Sequence, residues 1–152
     1  MKKIKILFVL AGLISLGFLT GCATTNGTGV DQQTLNDSAI ILRNAARNAS
    51  ALAISKKDDN KKYVQLAVAT LDTFLVGNDY TPGALTKALE PLIKEVKTVE
   101  VNLAINTVID LYEVFYGRYV KSKVAANENA LLFLKALRDG AQQGLTAALP
   151  AS

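Results

Sequence analysis

The chain has 152 residues with one cysteine, no histidine and no tryptophan, and its formal net charge is +4. One cysteine excludes a disulfide within the chain, and a zinc or copper site would lack its usual set of histidine and cysteine ligands. A histidine general base is excluded for the same reason. Lys2, Lys3 and Lys5 supply three of the four excess charges, so the rest of the chain has no basic surplus that would favour nucleic acid.

The first 21 residues have the layout of an export signal. Basic residues near the start are followed by an apolar segment over residues 6–19, which is shorter than the roughly 20 residues of a transmembrane helix. The segment closes with Leu19-Thr20-Gly21-Cys22, which resembles the lipobox of bacterial lipoproteins. This resemblance implies that the precursor is cut before Cys22. It also implies that the sulfur of Cys22 receives a diacylglycerol and that the new amino group is acylated, typically with palmitate.

The lipoprotein resemblance also implies a location. Each buried methylene contributes about 0.8 kcal/mol, so two or three acyl chains on Cys22 would hold the protein to a bilayer essentially permanently. In Gram-negative lipoproteins an aspartate after the cysteine usually signals retention in the inner membrane, and this chain has Ala23 there. The resemblance therefore implies the outer membrane in a Gram-negative host, facing the periplasm or the exterior. In a host with a single membrane it implies the outer face of that membrane.

Three segments are predicted along the chain: a signal peptide over residues 1–21, a lipidated N-terminus with a flexible tether over 22–33, and a helical bundle domain over 34–149. The tether is predicted because residues 23–30 are small and mostly polar and include two glycines. In the domain, apolar residues recur at steps of three and four, and no alternating strand pattern of useful length occurs. We therefore predict an all-α fold, a single compact bundle of four to five helices.

Periodicity and stop signals predict helices over about 31–56, 60–76 and 127–149. Thr81 and Pro82 suit the N-cap and the first position of another helix, and Pro91 is expected to break or kink that helix near Leu89 or Glu90. Gly140 and Gly144 lie four residues apart in the last helix. We expect these glycines to permit close packing or to weaken the last turns.

The most apolar helix is predicted over about 93–123. One narrow polar strip runs along it, at Asn102, Asn106, Asp110, Glu113 and Gly117. A helix that is apolar over most of its circumference should be buried by several neighbours. We therefore place this helix at the centre of the bundle.

Four aromatic residues and two basic ones cluster over residues 112–121 of this helix. Aromatic rings beside cations can bind glycans, single-stranded nucleic acid or a protein. Most of these rings are expected in the core, with the tyrosine hydroxyls reaching the surface. If the protein has one partner-binding site, we expect it here, at Tyr112, Tyr116, Arg118, Tyr119 and Lys121.

Asp110 and Glu113 lie three residues apart on one helical face. Paired carboxylates can perform acid–base chemistry or hold a hard cation, but a solvated strip on a buried helix is the simpler interpretation. We predict no catalytic residue, no metal ligand and no cofactor apart from the lipid on Cys22.

The favoured function is a non-enzymatic binding, assembly or scaffold protein of the bacterial envelope. Its expected partners are the lipid bilayer and an unidentified envelope protein, and nucleic acid is not expected. In architecture alone the chain is similar to the pilotins that escort secretion-channel subunits and to phage-encoded lipoproteins that block superinfection. Two alternatives stay open, a carboxylate-based enzyme at Asp110 and Glu113 and a carrier of an apolar ligand within the bundle.

Overall fold

The computed structural model describes residues 31–120 and 126–147, and these ranges contain five α-helices and no strand. The helices are α1 (Gln32–Lys56), α2 (Asn60–Leu75), α3 (Pro82–Glu95), α4 (Val99–Tyr119) and α5 (Ala126–Ala147). The predicted all-α bundle is confirmed. Cys22 and Lys121 lie outside the described residues, as does most of the predicted tether.

The five helices run alternately up and down. At one end of the bundle, the side chain of Asn60 hydrogen-bonds to Ala53 near the end of α1 and to Thr98 just before α4. At the other end, the hydroxyl of Tyr112 in α4 donates to the carbonyl of Tyr80, just before α3. Five alternating helices place the start of α1 and the end of α5 at opposite ends of the bundle.

The helices α1 and α5 form the most extensive helix pair in the bundle. Gly140 lies against the carbonyl of Arg43 and Gly144 against the carbonyl of Arg47, so the two helices advance in the same direction. A Cβ atom at Gly140 would collide with the Arg43 oxygen, and one at Gly144 would lie 2.7 Å from the Arg47 oxygen. The close packing expected of these glycines is therefore confirmed.

The predicted central position of α4 is wrong. The helix exposes Val99 (77%), Leu103 (45%) and Val114 (58%) beside its polar strip. By contrast, α5 buries more of its residues than any other described helix. The glycines of α5 and the small residues Ala46 and Ser50 of α1 bring these two backbones together. The α1–α5 pair therefore occupies the centre, because small side chains allow the closest approach.

Pro91 does not end α3, which continues to Glu95. Its missing N–H leaves the Lys87 carbonyl without a helical donor, but both residues are exposed, where solvent can replace that donor. The buried leucines of α3 hold the helix against its neighbours across this site. Residues 93–95 therefore belong to α3, and α4 begins later than predicted, after Thr98 in extended conformation.

The start of α3 follows the prediction. Thr81 precedes the helix in extended conformation, and its hydroxyl accepts a hydrogen bond from the N–H of Ala84 at 3.3 Å. Pro82 occupies the first helical position, where no N–H is needed. The Thr81–Pro82 pair therefore fixes the point at which the chain turns back along the bundle.

Candidate functional site

One end of the bundle gathers the aromatic residues that the sequence singles out. It contains the start of α1, the connection between α2 and α3, the end of α4 and the start of α5. The amide of Asn129 in α5 donates to the Tyr119 carbonyl at 3.1 Å, which joins the last two of these elements. We call it the tether end, because the predicted tether leads into α1 here.

The aromatic rings of the tether end pack around Phe133 of α5. Phe133 is fully buried, and its ring centroid lies 5.8 Å from that of Phe115 and 6.0 Å from that of Tyr119. The exposed guanidinium of Arg118 lies 5.5 Å from the centroid of the Tyr119 ring. The cluster therefore has a rigid apolar base and an accessible outer edge that carries a cation.

Tyr112 belongs to the buried base of this cluster. Its side chain is fully buried, and its hydroxyl donates to the Tyr80 carbonyl at 2.6 Å. Tyr112 therefore fastens the α2–α3 connection to α4 and offers no surface to a partner. Of the residues predicted to bind a partner, Tyr116 and Tyr119 are half-buried and Arg118 is exposed. We use the name aromatic surface for Tyr116, Arg118 and Tyr119.

Replacement of Tyr112 by phenylalanine should lower the free energy of unfolding at pH 7 by about 1 kcal/mol, because one buried hydrogen bond is lost. Burial raises the pKa of the Tyr112 phenol, and Tyr116 and Asp79 raise it further. The unfolded phenol ionises near pH 10, so its contribution is complete below that pH and is lost as pH rises above it. Tyr112→Phe should therefore make the alkaline decline in stability shallower.

Urea denaturation at pH 7 and at pH 10.5 checks this expectation. Tyr63→Phe is a matched control, because Tyr63 is another tyrosine of the bundle, is half-buried and makes no buried side-chain hydrogen bond to the part of the chain that the structure describes. The control should change stability by less than about 0.5 kcal/mol at pH 7. An alkaline decline that is equally steep in Tyr112→Phe and in the parent protein would contradict the assignment.

Two buried asparagines hydrogen-bond to backbone carbonyls at the ends of helices. The sequence interpretation missed both of them. The Asn60 amide donates to the Ala53 carbonyl at 2.7 Å, and its oxygen accepts from the Thr98 hydroxyl at 2.9 Å. The Asn129 amide likewise donates a hydrogen bond to the Tyr119 carbonyl. The last carbonyls of a helix lack an intrahelical donor, so each asparagine satisfies such a group of the preceding or a neighbouring helix. Both asparagines lie in the first turn of a helix that follows a short connection, and this position in the sequence could have indicated their role.

The paired carboxylates are placed on the outside of the bundle. Asp110 and Glu113 are both exposed on α4. Among the described residues, no group of three potential metal-ligating side chains comes together. The pair therefore has neither the enclosed setting that strengthens acid–base chemistry nor further ligands for a cation.

A small cavity that is partly open to solvent lies between the helices. It measures about 40 Å³ and is lined almost entirely by apolar side chains, among them Val64, Leu89, Val101, Ile105 and Leu137. Pockets for small molecules usually measure about 300–1,000 Å³. A wider depression of about 390 Å³ between α2 and α5 is open to solvent and lined in part by polar side chains.

The described helices are all too short or too polar to form a membrane span. No protein-family model, curated protein or solved structure shows significant similarity to the chain.

Proposed function

We propose that this protein is a bacterial lipoprotein whose helical domain acts at a membrane of the envelope as a non-enzymatic binding, assembly or scaffold protein. The observation that carries the proposal is the lipobox-like sequence Leu19-Thr20-Gly21-Cys22 after an apolar leader. Cys22 is the single cysteine of the chain, and acylation would account for its position between leader and tether. With Ala23 next to it, the proposed location in a Gram-negative host is the outer membrane.

The aromatic surface is the proposed contact site for an envelope protein. Tyrosine and arginine are enriched among the residues that contribute most to protein interfaces. Tyr119 rests on Phe133 and is covered by Arg118, so its ring is already held in place. A side chain that is ordered before binding loses less entropy when a partner arrives.

The setting of the carboxylates and the size of the cavity support a binding role over the two alternatives. Asp110 and Glu113 face solvent, and a cavity of about 40 Å³ is well below the 150 Å³ of an engineered apolar cavity that takes up benzene.

Crosslinking and pull-down from intact cells test the proposed function. A specific envelope protein should be recovered with the parent protein and lost with Cys22→Ser, because the unanchored protein is no longer concentrated at the membrane. Arg118→Ala should also reduce recovery, whereas Arg47→Ala, which changes another exposed arginine, should not. Undiminished recovery and full function with Cys22→Ser would contradict a role at the membrane.

A further inference from the structure

We propose that the tether end of the bundle faces the membrane that holds Cys22 and that the opposite end points away from it. This inference rests on the proposed lipid anchor and adds an orientation to it. The orientation has a consequence for the partner, because the aromatic surface lies at the tether end. A protein that binds Tyr116, Arg118 and Tyr119 would then do so within reach of the same membrane.

The length of the tether limits which end of the bundle can face the membrane. Eight residues lie between Cys22 and Asp31, so the nine residue steps from Cys22 to Asp31 span only about 30 Å at 3.3–3.6 Å per residue, even in a fully extended tether. The first helix has 25 residues and is therefore about 37 Å long at 1.5 Å per residue. An inverted domain would place the start of α1 about 37 Å above the bilayer, which is farther than the tether reaches.

The charge of the tether end limits how closely it approaches lipid. Among the described residues near this end, Asp31, Asp79, Glu113 and Glu128 are acidic and Arg118 is basic. Anionic headgroups attract basic clusters at short range, and this mixed set provides no such attraction. The tether end therefore faces the bilayer across the span of the tether and is not drawn onto it, which leaves room for a membrane-resident partner.

Single tryptophan reporters test the orientation, because the chain has no tryptophan of its own. Val114 and Val99 form a matched pair: both are valines on α4, both are exposed, and they lie toward opposite ends of that helix. Val114→Trp and Val99→Trp are each prepared as the lipidated protein in phosphatidylethanolamine–phosphatidylglycerol vesicles that contain a dansyl-labelled headgroup lipid. Val76→Trp in the α2–α3 connection is a second reporter for the tether end, at a position 86% exposed.

Energy transfer from tryptophan to the labelled headgroups should be at least twofold more efficient for Val114→Trp and Val76→Trp than for Val99→Trp. Equal transfer from both ends, or stronger transfer from Val99→Trp, would overturn the orientation while the anchor stands. If the purified proteins do not float with the vesicles, the proposed lipid anchor itself fails and the orientation fails with it. A larger fraction of phosphatidylglycerol should not increase the transfer, and an increase would contradict the charge argument.

Discussion

Replacement of Gly140 by alanine should lower the free energy of unfolding by about 2 kcal/mol, although alanine is the better helix former by about 1 kcal/mol. The added Cβ would meet the backbone carbonyl of Arg43, which cannot rotate away as a side chain could. Overpacking of this kind costs about 1–3 kcal/mol or more, and here the strain falls on the central α1–α5 pair. Urea denaturation followed by the helical circular dichroism signal measures the change.

Gly117→Ala is the matched control for this prediction. Gly117 lies in α4, and a Cβ atom added there meets no neighbouring atom within 4 Å among residues 31–120 and 126–147. Since only helix propensity changes, this substitution should raise the free energy of unfolding by up to about 1 kcal/mol. The same chemical change should thus have opposite signs at the two sites. Equal effects of Gly140→Ala and Gly117→Ala would contradict the close packing of α1 and α5.

Replacement of Asn60 by alanine should lower the free energy of unfolding by about 3 kcal/mol. The side chain is fully buried and joins Ala53 of α1 to Thr98, the N-cap residue of α4. Its removal leaves a carbonyl and a hydroxyl without partners, and each buried polar group left unsatisfied costs about 1–3 kcal/mol. The loss should appear as a lower urea midpoint with an unchanged slope.

Two further variants isolate the contribution of Asn60. Thr98→Val removes only the hydroxyl that donates to Asn60, so its cost should be smaller than that of Asn60→Ala, and the double variant should cost less than the sum of the two. Asn106→Ala changes an exposed asparagine of α4 and should stay within about 0.5 kcal/mol of the parent. Strict additivity of Asn60→Ala and Thr98→Val would contradict the bridge between them.

Local signals in the sequence were sufficient for the helices themselves. The first and second helices occur within two residues of their predicted bounds, because each has a regular apolar stripe between clear breaks. The last helix covers the described part of its predicted range, and residues 148–149 lie outside the described residues. The helix break predicted at Pro91 does not occur, since tertiary packing of the leucines in α3 outweighs the missing hydrogen bond of one exposed turn. Local propensity does not include that packing energy.

The arrangement of the helices was less accessible to sequence reasoning. The apolar circumference of α4 pointed to a central position, whereas the alanines, serines and glycines of α1 and α5 determine the closest approach. Likewise, the aromatic residues at 112–119 were recognised as a group, but periodicity could not tell that Tyr112 lies inside and Arg118 outside. Asn60 acts through Thr98, which is 38 residues away along the chain, and contacts at such a separation leave no local pattern.

The central claim is that Cys22 carries lipid and that the domain acts where this lipid holds it. Mass spectrometry of the mature protein from cells of its host tests this claim most directly. We predict a chain that begins at Cys22 and is heavier than its peptide mass by a diacylglyceryl group, with or without a further acyl group, and a Cys22→Ser protein without this added mass. An unmodified Cys22 in a chain that retains residues 1–21 would contradict the claim.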